Sequence, residues 1–104
     1  MLNTIKNDSK SVSSLGILDI ALINDVLQTY GETQIQVYHV NDTTMPYGIL
    51  NAPLGGWTFA LLIRFFRVYM PYHKLPDSEI YIGGLCIGTI DKKQLSIGGH
   101  LIND

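Results

Sequence analysis

Charged side chains are scarce in this chain of 104 residues, since they make up 15% of it whereas an average globular protein has roughly 25%. Hydrophobic residues make up 46%, so few charges are available to cover the apolar surface. Contiguous apolar patches that stay exposed usually mark contact surfaces. We therefore expect a surface that binds a partner protein or a second copy of the same chain.

Cysteine is nearly absent, because Cys86 is the only one. No intrachain disulfide can form, which excludes a secreted scaffold held together by disulfides. The first residues lack the apolar core of a signal peptide, and no apolar run approaches the roughly eighteen residues of a membrane span. These absences predict an intracellular, cytoplasmic protein without a transmembrane span.

A concentrated basic region is also missing, although phosphate binding requires one. The net charge is −2, and the seven basic residues are scattered along the chain. The sequence therefore predicts that nucleic acid is not the main partner.

Residues at catalytic or metal-binding spacing are absent as well. The three histidines, His39, His73 and His100, have no second ligand close to them in the sequence, as a local metal site requires. Cys86 and His100 fall on opposite faces of a predicted hairpin, so they cannot form a nucleophile pair. We predict a non-enzymatic protein with no catalytic residue, no cofactor and no metal. A small enzyme or ligand-binding domain is the alternative.

The length predicts one domain, residues 15–104, preceded by a flexible N-terminal arm, residues 1–14. Its densest apolar stretch is residues 57–70, WTFALLIRFFRVYM, which is too long for a typical strand and is predicted to form a central helix. If this stretch were a strand instead, the protein would be mostly β. A first helix is predicted from about Leu15, capped by Ser13 or Ser14, to Gly31.

Period-two alternation predicts a strand over residues 32–40. Residues 41–56 are rich in proline and glycine and predict a long connection with a short extended piece at residues 47–50. IYIGGLCI and LSIGGHLI, on either side of residues 91–94, predict a β-hairpin. The expected fold is α+β, a small antiparallel sheet of about three strands with two helices packed on one face.

Pairing of Ile90 with Leu95 would give this hairpin two unequal faces. The first face is apolar and consists of Ile80, Ile82, Cys86, Ile90, Leu95, Ile97 and Leu101. The second face is mixed and consists of Tyr81, Leu85, Ile87, Thr89, Ser96, Gly98, His100 and Ile102. The mixed face suits partial exposure or a partner, and the glycines predict bends or bulges in the sheet.

Arginine and tyrosine at the end of the central helix suggest a binding surface, because these residue types predominate in binding hot spots. Arg64 and Arg67 share a side of the helix and are expected to engage a carboxylate. The predicted partner-binding residues are Arg64, Arg67, Tyr69, Tyr72, His73, Tyr81 and His100. The predicted function is protein binding or self-association through an apolar, tyrosine-rich surface.

Two short runs, GWTFALL at residues 56–62 and IGGLCIG at residues 82–88, resemble the strand, helix and strand of the rhabdoviral matrix proteins. The resemblance implies self-assembly as a matrix-like or coat-like component. It covers only these two runs and assigns no family.

Overall fold

The computed structural model describes residues 19–103, which form two helices and a six-stranded sheet. Helix α1 is Ile20–Tyr30, and α2 is Phe59–Arg64, which continues as a π-helical turn, Phe65–Tyr69. We call the continuous segment 59–69 the central helix. A 3₁₀ turn, Tyr72–Lys74, follows. The strands are β1 Ile35–His39, β2 Gly48–Leu50, β3 Ser78–Ile82, β4 Leu85–Asp91, β5 Gln94–Ile97 and β6 His100–Leu101.

The sheet is entirely antiparallel in the described residues, in the order β2-β1-β3-β4-β5-β6. The α+β class therefore agrees with the prediction, and so does the short extended piece, which is β2. The prediction of about three strands was wrong, because the supposed hairpin contains four strands. Each of its two Gly-Gly pairs turns the chain and does not bend one long strand.

Three two-residue turns join β3 to β6. Positive φ at both central residues, as type I′ hairpin turns require, occurs at Gly83-Gly84, at Lys92-Lys93 and at Gly98-Gly99. Ile90 pairs with Leu95 as expected, but Asp91 also pairs with Gln94, which shortens the polar loop to two lysines. The two similar IGG runs are therefore the first and the third of three successive hairpin turns.

A β-bulge changes the predicted faces of the hairpin. Tyr81 pairs with Cys86, but its neighbour Ile80 pairs with Gly88, so Ile87 is the extra residue. Cys86 is buried as predicted, yet it shares a face with Tyr81 and not with the core. Ile87 is buried in the core, which corrects its placement on the mixed face.

The last strand requires a second correction. Leu101 pairs with Ser96 and His100 with Ile97, so Leu101 lies on the face opposite the core and His100 lies on the core side of the edge. Ile102, which we had placed on the mixed face, packs against the core. The reason is the turn at Gly98-Gly99, which begins a new strand with a new register.

Both helices pack on one face of the sheet, because their buried residues belong to a single core cluster with the buried residues of the sheet. Ile23 and Leu27 of α1 meet Leu62 and Phe66 of the central helix in this cluster. The central helix is helical as predicted, beginning after the Thr58 cap, whose hydroxyl accepts from the Leu61 amide.

Asp19 corrects the predicted start of the first helix. Its backbone is extended and its carboxylate accepts from the Leu22 amide at 3.0 Å, so Asp19 is the cap and α1 begins at Ile20. The predicted cap at Ser13 or Ser14, like the arm at residues 1–14, lies outside the described residues. Within the described residues, no helix has the length and apolar character needed to cross a membrane.

The Lys92-Lys93 turn gives a first testable prediction. Their φ angles of 52° and 67° are left-handed, a conformation that costs a residue with a Cβ about 1–2 kcal/mol. Replacing the pair with Asn-Gly, the preferred type I′ pair, is expected to raise the free energy of unfolding by about 1–2 kcal/mol, measured by urea denaturation. A Gln-Gln pair removes the same charges and is expected to give no gain. Equal stability of the two variants would contradict the strained turn.

Candidate functional site

A groove of about 530 Å³ lies between the loop that precedes α2 and one side of the central helix. We call it the α2 groove. Its lining is mostly apolar and consists of Asn51, Pro53, Trp57, Leu61, Arg64, Phe65 and Tyr69. Concave, mainly apolar sites with a few polar groups are the usual form of binding sites.

Three aromatic rings form the wall of the groove. The ring centroids of Trp57 and Phe65 are 5.8 Å apart in an edge-to-face arrangement, and those of Phe65 and Tyr69 are 5.7 Å apart. Trp57 is fixed by its backbone amide, which donates to the Gly31 carbonyl oxygen at 2.7 Å and ties the loop to the end of α1. The wall is therefore held in place from both the loop and the helix.

Phe65 and Tyr69 are the first and last residues of the π-helical turn. The Met70 amide closes this turn by donating to the Phe65 carbonyl oxygen at 3.0 Å. Turns of this kind are rare, and they are frequently found at functional sites. The irregular part of the helix thus coincides with the groove.

The indole nitrogen of Trp57 is buried and has no hydrogen-bond acceptor in the described part of the chain. Trp57 is only 5% exposed, so water does not replace the missing acceptor at the surface. A buried donor without a partner costs about 1–3 kcal/mol, and such donors are rare in native proteins. An acceptor from a bound molecule would relieve this cost.

The predicted partner-binding residues do not form one surface. Arg64 and Tyr69 line the α2 groove, whereas the Arg67 guanidinium donates to the carbonyl oxygen of Asn103. Tyr72 is 6% exposed and belongs to the core, so it has little surface for a partner. His73 is exposed beside the Tyr72 ring.

The other two predicted residues lie on the sheet. Tyr81 is on the face away from the helices, and His100 is exposed on the edge strand β6. Cys86 and His100 lie on opposite faces, as expected, so they do not form a nucleophile pair.

A second cavity, of about 650 Å³, is also lined by Trp57. It is polar and is bounded by Gln28 near the end of α1, by Glu32 after that helix, and by Gly55-Gly56. Gly55-Gly56 lies just before α2, and backbone amides at a helix N-terminus attract anions. The Glu32 side chain lies beside Gly56, so a negative charge already occupies this region and an anion would be repelled.

We call the sheet face away from the helices the open sheet face. Its side chains are partly or fully exposed except for Cys86, and none belongs to the core cluster. The face consists of Gln36, Tyr38, Ile49, Glu79, Tyr81, Cys86, Thr89, Ser96 and Leu101. Tyr38 and Tyr81 meet edge to face with ring centroids 5.4 Å apart.

The thiol of Cys86 is poorly suited to nucleophilic chemistry. Burial raises its pKa above the ordinary value, although a backbone hydrogen bond from Gly88 acts in the opposite direction. The reactive form of cysteine is the thiolate, which burial disfavours. Cys86 therefore acts as a small buried side chain.

Tyr81 gives a prediction about pH. Burial, followed by the hydrogen bond that its hydroxyl donates to Glu79 at 3.0 Å, raises the pKa of Tyr81 to about 12. The unfolded state loses this proton near pH 10, so the folded state binds it more tightly between pH 10 and about 12. The stabilisation is complete below pH 10 and is lost as pH rises through 12.

Tyr81→Phe is therefore expected to show a smaller loss of unfolding free energy than the wild type over this pH range. The difference should be under about 1 kcal/mol, because Tyr81 is partly exposed to solvent. Urea denaturation at several pH values measures it, and Tyr69→Phe controls for the loss of one tyrosine. Identical pH slopes for Tyr81→Phe and the wild type would contradict the assignment.

Among the described residues, no group of three or more histidine, cysteine, aspartate or glutamate side chains is placed to hold a metal ion. The groove contains residues that the sequence alone did not single out, chiefly Asn51, Pro53, Trp57 and Phe65. The sequence did indicate this side of the helix, because the spacing of four residues places them on one helical face: Leu61, Arg64, Phe65 and Val68. This pattern was hidden because nearly every neighbour is also apolar.

The chain matches no known protein family, no curated protein and no solved structure. The resemblance to rhabdoviral matrix proteins over two short runs therefore gains no support from these comparisons.

Proposed function

We propose that this protein is non-enzymatic and binds another protein through the α2 groove and the exposed helix surface beside it. The observation that carries the proposal is the continuous apolar and aromatic surface around Arg64. Tyr69 is 68% exposed, Val68 is 59% exposed, and Leu61 and Leu54 are exposed as well.

The size of this surface favours a protein partner over a small molecule. The exposed apolar side chains extend from Leu54 in the loop to Val68 and Tyr69 at the end of the helix, beyond the groove itself. Exposed apolar patches rimmed by polar residues commonly mark protein interfaces. The surface also combines tyrosine and arginine, which are residue types enriched at binding hot spots.

Charge favours a foreign partner over a two-fold contact between copies at the groove. A two-fold axis through the groove would bring Arg64 close to its own symmetry mate. Among residues 19–103, no acidic side chain lines the groove to neutralise the two guanidinium groups. A partner that supplies its own negative charge avoids this repulsion.

Site-specific photo-crosslinking tests the proposal. A benzophenone amino acid replaces Tyr69 in one protein and Leu22, which is exposed on α1, in the control protein. Crosslinking in the native host cells is expected to give one dominant product from position 69 and none from position 22. Adding Leu61→Asp to the first protein should abolish the product, because a carboxylate would then lie in the apolar contact. Equal products from both positions, or a product insensitive to Leu61→Asp, would refute the proposal.

Self-association through the open sheet face is the second candidate, and a matrix-like or coat-like role would follow from it. The supporting observation is that Ile49 and Leu101 are both about half exposed on this face. The sheet edges themselves are short, since β2 has three residues and β6 has two, so edge pairing is the weaker route.

Light scattering over a range of concentrations separates the two candidates. Self-association predicts a molar mass that rises with concentration in the wild type and stays at the monomer value in Ile49→Lys. A wild-type mass that remains monomeric at high micromolar concentration would remove this candidate and leave the foreign partner.

A further inference from the structure

We infer that the α2 groove recognises a carboxylate beside an apolar side chain, so that the partner presents an aspartate or glutamate next to an aromatic or aliphatic residue. The inference rests on the proposed function and specifies the chemistry of the bound segment. Its basis is the set of residues with hydrogen-bond donors that line the groove, Asn51, Trp57 and Arg64.

Asn51 offers a donor because its acceptor is already occupied. The Asn51 side-chain oxygen accepts from the Gln34 amide nitrogen at 3.2 Å. The carboxamide orientation is fixed by this bond, so its own NH₂ group is the part that remains for a ligand.

Trp57 offers the second donor. Its buried indole N–H has no acceptor among the described residues, and an indole nitrogen can only donate. Trp57 lines both the groove and the polar cavity, and no described residue of either one supplies the missing acceptor. The nitrogen is closed to water in this structure, so a ligand oxygen completes its hydrogen bonding only when the ligand displaces a side chain that covers it.

Arg64 supplies the charge. It is exposed at the end of α2 and it lines the groove, to which the described part of the chain contributes no acidic side chain. A guanidinium group pairs best with a planar oxyanion, which accepts two parallel hydrogen bonds. Together with the two neutral donors, it selects a carboxylate over a neutral or cationic group.

The remaining lining selects the apolar side chain. Pro53, Leu61 and the Phe65 ring form the surface around the donors, and an aromatic residue of the partner can pack against these groups. The lining and the charge of the groove therefore suit a partner segment in which a carboxylate lies next to an apolar side chain.

A matched pair of short peptides tests the inference directly. Acetyl-Ala-Phe-Asp-Ala-amide carries the carboxylate, and acetyl-Ala-Phe-Asn-Ala-amide replaces it with an isosteric carboxamide. Binding is followed by nitrogen-15 NMR, in which Trp57, the only tryptophan, gives a single indole N–H signal. The Asp peptide is expected to bind about tenfold more tightly than the Asn peptide, and to shift the indole signal downfield.

Three variants assign the effect to groove residues. Arg64→Gln is expected to abolish the preference for the Asp peptide, and Arg64→Lys should restore part of it because the charge returns without the planar fork. Lys74→Gln removes an exposed positive charge away from the groove and should leave the preference unchanged. Raising the salt concentration should weaken only the Asp peptide.

Equal affinity for the two peptides, or failure of both to bind, would overturn the inference, as would an unchanged preference in Arg64→Gln. A crosslinked product at position 69 that Leu61→Asp abolishes would still support the proposed function in any of these cases. Absence of that product would refute the proposed function independently.

Discussion

Phe66→Ala is expected to lower the free energy of unfolding by about 3–5 kcal/mol, the usual cost of truncating a fully buried phenylalanine. Phe66 is fully buried and is among the largest side chains of the core. It lies in the π-helical turn, where the central helix packs against the sheet. Because small domains have only about 5–15 kcal/mol of total stability, this change removes a large part of it.

Urea denaturation monitored by circular dichroism measures the loss. Tyr69→Ala is the matched control, since it truncates an aromatic residue of the same turn that is mostly exposed. We expect it to cost under about 1 kcal/mol. A similar loss in the two variants would show that the turn does not face the sheet as described.

Gly88→Ala is expected to cost about 3 kcal/mol, because there is no room for a methyl group at this position. A Cβ on Gly88 would lie 2.5 Å from the Ser96 carbonyl oxygen and 2.7 Å from the Ile97 side chain. The oxygen belongs to the neighbouring strand β5, so relief would require the two strands to move apart. The bulge next to Gly88 leaves little freedom for such a shift.

Gly84→Ala is the control that separates the cost of steric overlap from the cost of backbone strain. Gly84 has a φ of 79°, yet nothing lies within 4 Å of a Cβ placed there. The strain of a left-handed residue alone should cost about 1 kcal/mol. Chemical denaturation of both variants compares the two costs, and a smaller loss for Gly88→Ala than for Gly84→Ala would contradict the close strand contact.

The helices and the first strand were predictable because their signals are local. Length identified the central helix, and alternation identified the strand at Ile35–His39. The number of strands was not predicted, since Gly-Gly within an apolar run fits both a bend and a two-residue turn. Only the pairing of Ile97 with His100 across Gly98-Gly99 distinguishes them.

The assignment of side chains to the two faces of β3 and β4 depends on one residue, the bulge residue Ile87. Alternation alone puts Cys86 on the same side as Gly88 and Ile90, but the bulge at Ile87 reverses the side from that point on. A bulge adds a residue to one strand without a distinctive sequence pattern. The location of Cys86 therefore required the three-dimensional pairing.

The candidate site was predictable only in part. The arginine and tyrosine content of the helix end pointed to Arg64 and Tyr69, which do line the groove. Tyr72 could not be separated from them by sequence, because the 3₁₀ turn that carries it into the core follows a proline and has no clear period. Asn51 and Pro53 come from the loop and approach Arg64 only after folding.

The three tight turns between β3 and β6 also bear on the order of folding. Each of these strand pairs closes a loop of two residues, whereas pairing β1 with β3 must close residues 40–77. Closing a longer loop costs more entropy, so contacts between sequence neighbours form at the lowest entropic cost. The four-strand meander is thus expected to form before β1 and the central helix dock. Stopped-flow kinetics would then show Gly88→Ala slowing refolding more than it accelerates unfolding.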